Sequence, residues 1–149
     1  MGIPDAVRGS EILDDSLSPQ KQYGIQFQWA HRGSAKNLTK EEFHLLRSTV
    51  ASVEVRLDTV AYEGRRARIY LRLPRQIEGY SSTEDFLLSW TTDRIFSAGI
   101  VRPGNRALLF DGVVGSAVMV EMFTFTLEVD ARYLNGKITY APFYEIETY

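Results

Sequence analysis

Residues 53–73 read VEVRLDTVAYEGRRARIYLRL, and this stretch decides the fold class. Val53, Val55 and Leu57 alternate with Glu54, Arg56 and Asp58; Ala67, Ile69, Leu71 and Leu73 alternate with Arg68, Tyr70 and Arg72. Alternation of this kind is the period of a strand with one buried face, not that of a helix. Tyr62-Glu63-Gly64 stands between the two runs. A three-residue loop there pairs Ala61 with Arg65 and Leu57 with Ile69, with Gly64 in the left-handed position of a bulged turn. A two-residue loop at Glu63-Gly64 would set Leu57 opposite Tyr70 and turn the apolar faces apart. The three-residue register also sets Asp58 opposite Arg68 and Glu54 opposite Arg72, two favourable cross-strand pairs. Pattern, turn chemistry and charge therefore all predict one hairpin.

Working outward, Tyr23, Ile25, Phe27 and Trp29 alternate as an earlier strand. Thr39 with Glu42 forms a capping box, and Leu38 with Phe43 a hydrophobic staple, which together predict a short helix ending near Arg47. Downstream, strands are expected at Phe86–Trp90, at 95–101, from Arg106 to Asp111 after the turn Pro103-Gly104-Asn105, and from about Val118 to Val129. Asp130 to Gly136 reads as a single Asp-capped helical turn. The last strand spans Lys137 to Tyr149, and Pro142 within it predicts an edge or a bulge because proline donates nothing to the ladder. Residues 76–84 read as a loop. About eight strands with turn signals every 8–12 residues, and no alternating helices, predict an all-β antiparallel immunoglobulin-like β-sandwich over residues 23–149. The alternative is a closed β-barrel.

Residues 1–22 read as a flexible polar tail. They hold Asp5, Glu11, Asp14 and Asp15 against Arg8 and Lys21, leaving 15 of the 19 acidic and 15 of the 17 basic residues for the domain. A chain of 149 residues builds one core without a metal or disulfide, and there is no cysteine. The net charge of −2 gives no long-range attraction for nucleic acid or anionic membrane. No apolar run reaches the ~20 residues of a membrane span, and the first residues carry no signal peptide. The general look is that of secreted and periplasmic bacterial sandwich domains, so an extracytoplasmic location is expected if a leader was removed.

No catalytic motif stands out. His31 and His44 could meet a carboxylate such as Glu41 or Asp111, but no ligand spacing joins them, so no metal or other cofactor is expected. Gly99, Gly104, Gly112 and Gly115 read as turn or bulge glycines, not a phosphate cradle. Asn37-Leu38-Thr39 matches a glycosylation sequon, and Glu84-Asp85 is a carboxylate pair of the kind glycoside hydrolysis uses. Tyr133, Tyr140, Phe143, Tyr144 and Tyr149 gather near the C-terminus, with Tyr140, Tyr144 and Ile146 sharing the parity of an inward row. The unusual feature is the polar side of residues 53–73, where Arg56, Arg66, Arg68, Tyr70 and Arg72 share one face with Glu54, Asp58 and Val60. Arginine and tyrosine on a flat sheet are the residues that seat anionic groups or protein partners. The expectation is a non-enzymatic binding module contacting a protein partner through that face. The alternatives are a small-ligand binder for a sugar or lipid, with a pocket at Trp29, Trp90 or Phe110, and a carboxylate-based hydrolase.

Overall fold

A computed structural model describes residues 10–19, 28–29, 45–82 and 84–149. The described residues are all-β and antiparallel. Its described strands are β1 (Ser10–Ile12), β2 (Gln28–Trp29), β3 (Leu45–Asp58), β4 (Arg66–Arg72), β5 (Glu78–Tyr80), β6 (Leu87–Thr92), β7 (Gly99–Val101), β8 (Arg106–Val113), β9 (Val118–Asp130), β10 (Leu134–Thr139) and β11 (Phe143–Thr148). A first sheet runs in the order β1-β11-β4-β8, a second in the order β2-β3-β9-β6-β7, and β10 pairs with β5 as a separate ribbon. Each sheet has two edges, so the described strands form no closed barrel. No helix among the described residues is long and apolar enough to cross a membrane.

The core lies where the inner faces of the two sheets meet. Ala67, Ile69 and Leu71 of β4 and Tyr144 and Ile146 of β11 face Val53, Val55 and Leu57 of β3 and Phe123, Phe125 and Leu127 of β9. The rings of Phe123 and Tyr144 meet across the gap at 6.4 Å, and Phe96 reaches Phe110 at 6.3 Å. Each fully buried side chain of this size contributes about 1.5–3 kcal/mol over leaving it in water. Burial confirms the expected inward parity along residues 53–59 and 67–73 but not at Ala61, which is exposed in the turn between them, and Tyr140, Tyr144 and Ile146 are buried as the inward row predicts.

The hairpin is not formed. β3 belongs to the second sheet and β4 to the first, so residues 59–65 cross between sheets. Thr59 anchors the crossing: it is fully buried, its Oγ1 donates to Ser116 O at 2.7 Å, and its N–H donates to Ala117 O at 2.8 Å. Gly64 and Val114 complete the join, Gly64 N to Val114 O at 2.8 Å and Val114 N to Arg65 O at 2.9 Å. The connection from β8 to β9 therefore crosses beside the connection from β3 to β4. Gly64 does take the expected left-handed conformation, with φ +82°. Two strands folded back within one sheet and two strands facing each other across a core need the same odd-numbered apolar residues. Parity alone does not separate them.

Other expectations change for local reasons. Most of the early strand, the turn at 31–37 and the helix from Thr39 to His44 lie outside the described residues, although Gln28–Trp29 pairs with Arg47 and Leu46. Leu45 to Arg47, the expected helix end, is strand. A bulge between Val50 and Val53, with Ser52 at φ 58°, shifts the inward residues from Ser48 and Val50 to Val53 and Val55. That shift breaks the alternation and hides the first half of β3 in the sequence. Ser10–Ile12, expected in the tail, pairs with β11, and Leu13 is buried in the core. The strand expected at 95–101 shortens to Gly99–Val101, while Glu78–Tyr80, read as loop, is strand. Pro142 separates β10 from β11, so the expected single last strand is two strands in different sheets. Asp130 caps a 3₁₀ turn at Ala131–Tyr133 as anticipated, accepting from Arg132 N at 2.9 Å, but Leu134 to Gly136, expected within that turn, already belong to β10.

Candidate functional site

Alternation on three neighbouring strands builds the outer face of the first sheet. β4 turns out Arg66, Arg68, Tyr70 and Arg72; β11 turns out Phe143, Glu145 and Glu147; β8 turns out Arg106, Leu108, Asp111 and Val113. The registers bring these into rows. Tyr70 stands opposite Glu145 on one side and Leu108 on the other, and Arg68 stands between Glu147 and Asp111. Arg72 stands directly opposite Arg106, a like-charge pair that costs stability unless neutralised.

Glu145 supplies the neutralisation. Its carboxylate accepts from Arg72 Nη1 at 2.8 Å and from Arg106 Nη1 at 2.6 Å, and its side chain is only 5% exposed. Burial pushes this carboxyl up, but the hydrogen bonds and charges of Arg72 and Arg106 together outweigh burial and hold it below the ordinary value of 4.5. Arg106 Nη1 also reaches Glu147 at 3.2 Å, and its guanidinium lies 3.8 Å from the centre of the Tyr70 ring. Burial, then the Glu147 charge beside it, raises the Tyr70 hydroxyl. At the far end Arg68 stacks 4.3 Å over Tyr149 and pairs with Asp111 at 3.4 Å. Tyr149 donates to Asp111, and that hydrogen bond first, with Arg68, lowers the Asp111 carboxyl.

Of the five residues singled out in the sequence, Arg66, Arg68, Tyr70 and Arg72 share this face. Arg56 does not. It stands on the outer face of the second sheet, paired with Glu54 at 2.6 Å, because β3 and β4 lie in different sheets. The expected partners Glu54 and Asp58 stay with β3, and Glu145, Glu147 and Asp111 take their place. Sequence reading did not place these acids or Arg106 on this face, naming Asp111 only as a carboxylate the histidines could meet. The signal that points to them is complementarity between outward rows: Arg-x-Tyr-x-Arg on β4 matches Glu-x-Glu on β11.

Two open concavities flank this part of the molecule. One, of about 440 Å³, is lined by Arg72, Ile100, Val101, Arg102, Gly104, Asn105 and Arg106. The other, of about 580 Å³, lies against the second sheet at Ser89, Trp90, Thr91, Ile100, Thr124 and Thr126. Of the rings expected to line a pocket between the sheets, Trp90 borders this second concavity and Phe110 does not. Trp90 sits 6.5 Å from Phe125 and donates to Ser97 O at 3.0 Å, and Phe110 packs on Phe96. Glu84 and Asp85 are exposed, with Asp85 accepting from Ser82 at 3.0 Å. His31, His44 and the sequon at Asn37 lie outside the described residues, as does the side chain of Trp29. Among the described residues, no group of three or more His, Cys, Asp or Glu could hold a metal ion. Comparison of the chain with protein-family models, with characterised proteins and with solved structures finds no match in any of the three.

Proposed function

We propose that the chain is an immunoglobulin-like β-sandwich acting as a non-enzymatic binding module, whose outer β1-β11-β4-β8 face contacts a protein partner. One observation carries this reading. Ile12, Leu108, Val113 and Tyr149, each 44–62% exposed, belong to the strands and C-terminus around the Arg68–Tyr70–Arg72–Arg106 network. Apolar and aromatic side chains around arginine are the composition of interface hot spots, and such grouping is uncommon on a surface meant only for water. The arginines are already oriented by Glu145, Glu147 and Asp111, so little rotamer entropy is lost when a partner arrives.

Carboxylate catalysis fits the same geometry less well. Glu145 and Glu147 converge on one Arg106 nitrogen. A general acid near neutrality needs its pKa raised, whereas Glu145 is lowered by the two arginines that bind it.

A random peptide library displayed on phage and panned against the immobilised protein tests the reading. The expected result is enrichment of peptides that combine acidic with aromatic or aliphatic residues, whose binding is weakened in Arg68→Gln and Leu108→Asp at unchanged melting temperature. Enriched peptides that bind both variants as well as the parent, or no enrichment over the bare matrix, would refute it.

A further inference from the structure

Resting on that reading, we infer that the concavity between the end of β4 and the turn from β7 to β8 is an oxyanion site, taking a carboxylate or phosphate group that the partner presents. Arg72 and Arg106 enter from one wall, clamped by Glu145 at 2.8 and 2.6 Å. Arg102 enters from the other, its Nε donating to Glu84 O at 3.2 Å. Arg75 backs the turn: a methyl group added at Gly104 would lie 3.7–3.8 Å from its Cα, Cβ and Cγ.

Charge does not balance here. Among the described residues Arg75 and Arg102 form no ion pair with a carboxylate, whereas Glu145 and Glu147 serve Arg72 and Arg106. Three guanidinium groups, those of Arg72, Arg102 and Arg106, thus line the concavity against the two carboxylates of Glu145 and Glu147, with the Arg75 backbone behind the turn, in a chain whose net charge is −2. Positive charge confined to a recess of about 440 Å³ focuses the field on whatever anion enters it. Guanidinium forks match the paired oxygens of carboxylate and phosphate alike.

The walls are also fixed in advance. Gly104, at φ +83°, donates its N–H toward Leu73 O at 3.1 Å and Pro74 O at 3.2 Å, and Asn105 N donates to Arg102 O at 3.1 Å. Leu73 N returns to Asn105 O at 3.3 Å. These bonds tie the turn to the end of β4, so Arg102 and Arg106 leave it at set positions on either side of the recess. Asn105 also lines the recess.

The test is a titration of the isotopically labelled protein, following arginine Nε–Hε resonances at constant ionic strength. Sodium phosphate replaces sodium chloride in one series, and tri-glutamate is added in a second. Saturable shifts at Arg72, Arg102 and Arg106 in either series are expected, phosphate alone or tri-glutamate alone identifying the preferred oxyanion. Arg102→Gln should weaken the affinity about tenfold, the worth of one hydrogen bond to a charged group. Arg47→Gln, on the second sheet, should leave it within about twofold, as expected for an exposed, separate charge. Shifts that are linear in both series, or equally large at Arg47, would overturn the site. Peptides that bind the face with Arg102→Gln unchanged would also overturn it and leave the docking face standing. Saturable phosphate binding without peptide enrichment would keep the site and remove the face.

Discussion

Glu121 is a carboxylate on the inward row of β9, between Met119 and Phe123, and it is fully buried. Its Oε1 accepts from the backbone N–H groups of Arg94, Ile95 and Phe96, each at 3.1 Å, and so holds the segment between β6 and β7 in place. The sequence predicts a strand from residue 95 on; three converging N–H groups satisfied by one side chain replace the ladder its start would have needed. The acid interrupting Met119-x-x-x-Phe123 is visible in the sequence, but its partners are backbone atoms some 25 residues away, which no side-chain pattern announces. Glu121→Ala strands three donors and should cost about 2–4 kcal/mol, whereas Glu121→Gln keeps an acceptor and should cost roughly half that. Urea denaturation midpoints of the two variants check the order.

At the level of elements, glycine positions separate into two kinds. Gly79 in β5 has φ +85°, and a methyl group there would sit 2.3 Å from Lys137 O in β10. Gly64 has φ +82° with nothing within 4 Å. Gly64→Ala should therefore cost only the left-handed backbone, about 1–2 kcal/mol, while Gly79→Ala adds a backbone clash and should exceed that by about 1 kcal/mol or more. Hydrogen exchange should quicken at 78–80 and 134–139 in Gly79→Ala and stay unchanged along β4 and β11. The two glycines look alike in sequence because φ is a local property and contact with a distant strand is not. The same division explains what was legible more widely. Alternation identified the inward residues of β4, β9 and β11 and the outward arginines. It did not identify β5, too short to show a period, or the first half of β3, masked by the bulge at Ser52. It also did not assign β3 and β4 to different sheets, and so misplaced Arg56.

For the whole molecule, the outer network of the first sheet links stability to acid. Glu145 has a folded pKa below its ordinary 4.5, set by Arg72 and Arg106 against burial. A carboxyl depressed on folding stabilises the protein above its unfolded pKa, and that contribution is lost as the pH falls through the folded value. Glu145→Gln should therefore be less stable than the parent near neutrality, with the gap narrowing as the pH drops below about 4.5. Urea melts across the acid range check the convergence, and a constant gap would assign the loss to packing. The paired crossings at 59–65 and 114–117 act over the whole chain too. Each supplies the other's hydrogen-bond partners, so neither is complete until about 50 intervening residues have closed into a loop. Such a long-range closure is expected to put folding in the millisecond-to-second range of β-architectures, which stopped-flow refolding checks. Until that closure β3 lacks β9 and β4 lacks β8, and the rate at which Thr59 finds Ser116 sets how long a nascent chain is exposed to pairing with its neighbours.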